Sequence, residues 1–135
     1  MPEKELLEKT HMGDKTKGQV EAQIGEAIIK FEKEYMGRGP AETKTYIIKD
    51  MVFVRLKGVL TQAEEQLAKT VEGAALIKKT RMRLLESARF MLETIISDIT
   101  GSQVQSMHTD ISTKTGERVI FTLNKNLEET FSEKD

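Results

Sequence analysis

From Thr16 onward, the apolar residues Val20, Ile24, Ala27, Ile28, Phe31 and Tyr35 recur at steps of three and four, the spacing that lays side chains along one face of an α-helix. Thr16 and Gln19 form a capping box at its start, and Gly37 followed by Pro40 supplies a glycine stop and a breaker at its end. The period then changes. In "TKTYIIKDMVFVRLKGVL" a tight turn at Lys49 and Asp50 sets Ile48 opposite Met51 and Tyr46 opposite Phe53, leaving Ile47, Val52, Val54 and Leu56 on the other face. This is a β-hairpin with two apolar faces.

A second capping box, Thr61 with Glu64, opens a helix running to about Thr70, and Gly73 reads as a break. Beyond it Ile77, Leu84, Ala88, Met91, Ile95 and Ile99 share one helical stripe, reinforced by Leu85 and Leu92 and stopped by Gly101. A single helix from Ala74 to Thr100 would be about 40 Å long, so one end is expected to project. "QVQSMHTDISTKTGERVIFTLNKN" reads as a second hairpin with a loop from Ser112 to Gly116. That loop places Ile111 opposite Glu117, Asp110 beside Arg118 and Met107 opposite Phe121, with Val119, Phe121 and Leu123 on the core face.

The expected organisation is a short helical or flexible arm over residues 1–15, one α+β domain over 16–128, and an acidic tail over 129–135. Helix, glycine stop and hairpin occur twice, a pattern that suggests an α-β-β duplication. Two hairpins, each preceded by helix, pack most simply as one antiparallel four-stranded sheet with the two long helices across one face, in the order α-β-β-α-α-β-β.

Composition narrows the function classes. The 135 residues suit one domain. With 21 Lys and Arg against 22 Asp and Glu, the formal charge of −1 gives no global field toward nucleic acid or an anionic membrane. The absence of cysteine excludes disulfides and thiol catalysis, and the charged start lacks the apolar run of a signal peptide. The reading is a soluble cytoplasmic protein with no membrane insertion.

The candidate chemistry is sparse. His108, Asp110 and Arg118 fall on one face of the second hairpin near Ser106 and Thr122, where an acid and a base are conceivable, but alternate strand residues stand about 7 Å apart. An exposed Asp110–Arg118 pair is the simpler reading. Arg38 in "GRGP" is a candidate anion ligand, although the segment precedes a strand where anion-binding loops open a helix. His11 and His108 lie in no metal-ligand spacing, and neither metal nor cofactor is expected. The basic run Lys78, Lys79, Arg81, Arg83 and Arg89 reads as a solvated helix face, so nucleic-acid binding is not expected.

The stronger signal is apolar. Tyr46, Ile48, Met51 and Phe53, joined by Ile120 and rimmed by Arg55, Lys57 and Arg118, form a second apolar sheet face that helices on one side leave wet. An interface explains it, and a homodimer through this face, or through the projecting end of the long helix, is expected.

"GRGP", "DMVFVRLKGVLTQAEEQLAKT", "GAALIKKTRMRLLE" and "HTDISTKTGERVIFTLNKNLE" resemble the MpsC family, a small bacterial domain formerly of unknown function, over about residues 37 to 128. The family is named after the C component of a sodium-translocating, membrane-potential-generating system. The resemblance implies a cytoplasmic bacterial accessory or regulatory protein linked to membrane ion-transport or inorganic-carbon-supply components, with a membrane-protein complex as partner, and it carries no catalytic signature. The alternative is a small enzyme or a binder of anions or phosphorylated ligands that uses Arg38, His108, Asp110 and Arg118.

Overall fold

The computed structural model describes residues 13–132. Helix α1 (Lys17–Glu34) leads into strands β1 (Glu42–Ile48) and β2 (Met51–Lys57). Helices α2 (Gln62–Leu67), α3 (Val71–Ser87) and α4 (Arg89–Thr100) follow, then β3 (Val104–Ser112), β4 (Gly116–Leu123) and the short α5 (Glu129–Ser132). The chain is an α+β fold with a four-stranded antiparallel sheet in the order β1-β2-β4-β3.

Local chemistry explains the elements. Thr16 and Gln19 close the capping box of α1, with Gln19 N–H donating to Thr16 Oγ1 at 3.2 Å and Thr16 N–H to Gln19 Oε1 at 2.9 Å. The first hairpin has the register its alternation predicts, Ile48 against Met51 and Tyr46 against Phe53. The second pairs Ile111 with Glu117, Asp110 with Arg118 and Met107 with Phe121. Its ladder closes at Ser112 and Gly116, so the open loop is only residues 113–115, and an irregularity between Val104 and Ser106 shifts the far end.

The hairpins join through their second strands, β2 and β4. Helix α1 packs on β1 and α4, while α3 and α4 pack on β3. One helical layer thus covers one sheet face, and the core lies between them. Val20, Ile24 and Phe31 meet Val52, Val54 and Phe121 there. Leu127 and Phe131 close the same core from the C-terminal side.

Three expectations change. First, no helix runs unbroken from Ala74 to Thr100. The chain kinks at Ala88 (φ −94°, ψ 6°), where Ser87 Oγ turns back onto the Arg83 carbonyl at 2.9 Å, a bond that bends helices. Ala88 is buried at the corner, and the kink keeps both halves against the sheet where a straight helix would run past it. The kink also resets the helical phase: Leu85, Leu92 and Ile96 are buried, whereas Leu84 and Met91 are exposed.

Second, Gly73 is not a break. The gap falls at residues 68–70, where Thr70 caps α3 by accepting from Gly73 N–H at 2.9 Å. Glycine is needed there because a Cβ would stand 1.9 Å from the Leu67 carbonyl oxygen. Third, the basic run is not uniformly solvated, since Arg81 is 5% exposed. The arm expected over residues 1–15 falls largely, and His11 wholly, outside the described residues, as do residues 133–135 of the acidic tail.

Candidate functional site

The sheet face turned away from the helices can be built row by row from the register. Ile48, Met51, Thr122 and Ser106 form one row. Tyr46, Phe53, Ile120 and His108 form the next, and Lys44, Arg55, Arg118 and Asp110 a third. Apolar side chains on β1 and β2 therefore grade through Ile120 and Thr122 of β4 into Ser106 and His108 of β3, with a cationic row alongside. Tyr46 and Phe53 meet edge to face, centroids 6.3 Å apart, and Tyr46 and Ile48 remain more than 40% exposed.

His108, Asp110 and Arg118 do come together on this face. Arg118 Nη1 donates to Asp110 Oδ2 at 3.3 Å. His108 is tied instead to Ser106, whose Oγ lies 3.1 Å from its Nε2 and also bonds Thr122. The histidine thus has a hydroxyl neighbour and, among the described residues, no carboxylate partner to make a triad-like relay. Arg38 is not part of the face. It follows α1, its amide donates to the Glu32 carbonyl at 3.2 Å, and its exposed side chain has no partner among the described residues. Among the described residues, no group of three or more His, Asp or Glu side chains is arranged to hold a metal ion.

A second cluster lies on the opposite face of the same strand. Arg81 of α3 donates through Nε and Nη2 to Glu117 of β4, the latter at 3.0 Å, and through Nη2 to Glu32 of α1 at 2.9 Å. All three are 5% exposed or less. Burial raises the Glu32 pKa to about 7, against the opposing pull of Arg81 and with a further push from Glu117. Burial pulls Arg81 down, but the bonds and charges of Glu117 and Glu32 outweigh it and hold its pKa above the ordinary value. Glu32 Oε2 is buried without a hydrogen-bond partner.

This cluster escaped a reading based on apolar spacing, yet each member sits at a core position. Glu32 is four residues after Ile28, Arg81 lies midway between Ile77 and Leu85, and Glu117 faces Ile111 across the ladder. Directly opposed strand residues share a face, so an inward Ile111 requires an inward Glu117.

The sequence matches the family described as Na+-translocating membrane potential-generating system (MpsC) over residues 16–125. The chain belongs to the MpsC family. It is 48% identical over 115 residues to the Bacillus subtilis (strain 168) protein named "Uncharacterized protein YbcI", covering 84% of this chain and 93% of that one. It is also 30% identical over 64 residues to "Uncharacterized protein YrhF" of the same strain, covering 47% of this chain and 52% of that one. No solved structure matches. The MpsC match contains both the outward face and the buried cluster, and among the described residues no helix is long and apolar enough to cross a membrane.

Proposed function

We propose that this MpsC-family chain is a cytoplasmic accessory or regulatory protein without catalytic activity of its own. It acts by protein–protein contact through the outward sheet face and is functionally linked to a membrane ion-translocating or inorganic-carbon-supply system. The observation that carries this reading is the partly exposed apolar area of Tyr46, Ile48, Met51, Phe53 and Ile120, set beside a cationic row, while among the described residues α1, α3 and α4 pack on the other side of the sheet. An apolar centre with a charged edge is the anatomy of an interface, and a two-fold homodimer is its simplest self-complementary use. The absence of a carboxylate on His108 favours contact over chemistry.

Phe53→Glu tests the reading by placing a charge at the centre of the contact. Light scattering should give a dimer mass for the native chain and a monomer mass for the variant, with an unchanged circular-dichroism spectrum. A native chain that stays monomeric at high micromolar concentration overturns the dimer. A face on which Phe53→Glu alters neither self-association nor cellular function overturns the interface.

A further inference from the structure

We infer that the cavity at the Gly116 end of the sheet is a binding site for a small phosphorylated anion, a site at the cationic edge of the contact face that does not depend on that face being an interface. The cavity has a volume of about 410 Å³ and lies where β2 runs into the 58–60 turn beside the β3–β4 loop. That volume suits a small metabolite and is too small for a macromolecular segment. Arg55, Lys57 and Lys114 line it, while Glu65 is the carboxylate on its wall that has no cationic partner among the described residues. Glu117 also reaches the wall but is bonded to Arg81.

Several features suit an anion at this place. Arg55 has no ion pair or hydrogen bond among the described residues, and its Nε is buried with no acceptor. It is flanked on neighbouring strands by two more cations, Lys44 and Arg118, and like charges directly opposed across a sheet are destabilising. A bound anion supplies the acceptor that Arg55 lacks and offsets that repulsion. Among the described residues Lys57 pairs only with Glu42, at 3.8 Å, and the Lys114 ammonium has no ion pair. Ser112 Oγ accepts the amides of Lys114 and Thr115 at 3.2 and 3.1 Å, which fixes the loop and leaves the hydroxyl proton free to donate.

Gly116 allows β4 to approach β2 closely beside this space. A Cβ there would stand 2.2 Å from the Leu56 carbonyl oxygen and 3.3 Å from Lys57 Cγ, and its φ of +99° suits glycine alone. One guanidinium fork, two ammonium groups and a hydroxyl donor around one small cavity match the oxygens of a phosphoryl group. Nothing in the site activates a nucleophile, so the inference is binding, without turnover.

Pyrophosphate titrated into the full chain at constant ionic strength, followed by backbone amide shifts, tests this. Saturable shifts centred on Gly58 and on residues 112–116 are expected. Affinity should fall about tenfold or more for Arg55→Gln and for Lys114→Gln, as expected for loss of a charge-assisted hydrogen bond. Lys44→Gln lies in the same cationic row but outside the cavity, and should stay within about twofold of the native chain. Lys114 is on an exposed loop, so its variant keeps the test decisive if Arg55→Gln does not fold.

A titration that does not saturate, shifts spread over the sheet, or an equal loss for Lys44→Gln overturns the site. Co-sedimentation with phosphatidic-acid vesicles separates the sources of the phosphoryl group. Binding to vesicles that is lost with Lys114→Gln assigns the site to a lipid headgroup. Binding of free pyrophosphate with no uptake by vesicles assigns it to a soluble metabolite.

Discussion

Glu117 and Arg118 are adjacent on β4 and point to opposite faces of one sheet. Glu117 enters a buried cluster with Arg81 and Glu32, all within 5% of full burial, whereas Arg118 meets Asp110 at 3.3 Å with the Asp110 side chain 66% exposed. The two arrangements contain the same chemical groups, yet water makes them physically different. Outside, the charges are screened and their pairing adds little. Inside, each ion has lost its hydration, so the cluster is held by its own hydrogen bonds and fails asymmetrically when one member is removed. The inner charges therefore govern whether α1, α3 and β4 stay joined, and the outer charges govern what the face meets.

The sharpest way to break that contrast is Arg81→Met. It leaves Glu32 and Glu117 buried against each other without their shared donor, and such a loss costs about 3–5 kcal/mol. In a domain of this size the midpoint of thermal unfolding should fall by more than about 10 °C, or the protein should fail to fold. Replacing all three members together, with Glu32→Leu and Glu117→Leu added, should recover most of that loss, because no charge is then stranded. Urea titrations of the native, single and triple variants check both statements. A triple variant as unstable as Arg81→Met would mean that packing, and not charge, dominates the cluster.

Proton concentration probes the same cluster more gently. Glu32 titrates near 7 in the folded chain against an ordinary 4.5, chiefly because burial disfavours its charge. The folded state therefore holds more protons than the unfolded state between these values, and stability falls as pH rises through this window. The gap corresponds to about 3 kcal/mol, fully lost above about pH 8. Glu32→Gln keeps an acceptor for Arg81 and does not titrate. Its stability relative to the native chain should improve by about that amount between pH 5 and pH 8, measured by denaturant unfolding at both. No change in the difference, or a change of opposite sign, would show that Glu32 is already ionised at pH 5.

The contrast also explains which parts of the molecule were legible in the sequence. Strand register was readable because a period of two admits only one slip before Ile47, Val52, Val54 and Leu56 turn to solvent, and the observed pairs are those the alternation predicts. Likewise, Asp110 beside Arg118 followed from loop length alone. The kink at Ala88 was not readable, since Ser87 and Ala88 are tolerated mid-helix and the bend is selected by packing on β3. Gly73 misleads because glycine in a sequence signals backbone freedom, whereas here it is required by a neighbouring carbonyl. The buried cluster was hidden by residue type: Arg81 in a basic run counts as surface until Ile77 and Leu85 place it inside.

Asp110→Asn is the smallest expected effect and the one that completes the contrast. Removing the charge from a pair this exposed should change stability by less than about 0.5 kcal/mol, and raising the salt concentration should shrink even that. The sign carries information, because Arg118 also stands directly opposite Arg55 in the cationic row. If Asp110 matters mainly by offsetting that repulsion, its loss should cost less when Arg55→Gln is already present, and a double-mutant cycle over the two sites measures the difference. A coupling indistinguishable from zero assigns the pair no role in stability. A coupling above about 1 kcal/mol would place the outer row in the same energetic class as the buried cluster, and the distinction between the two faces of β4 would fail.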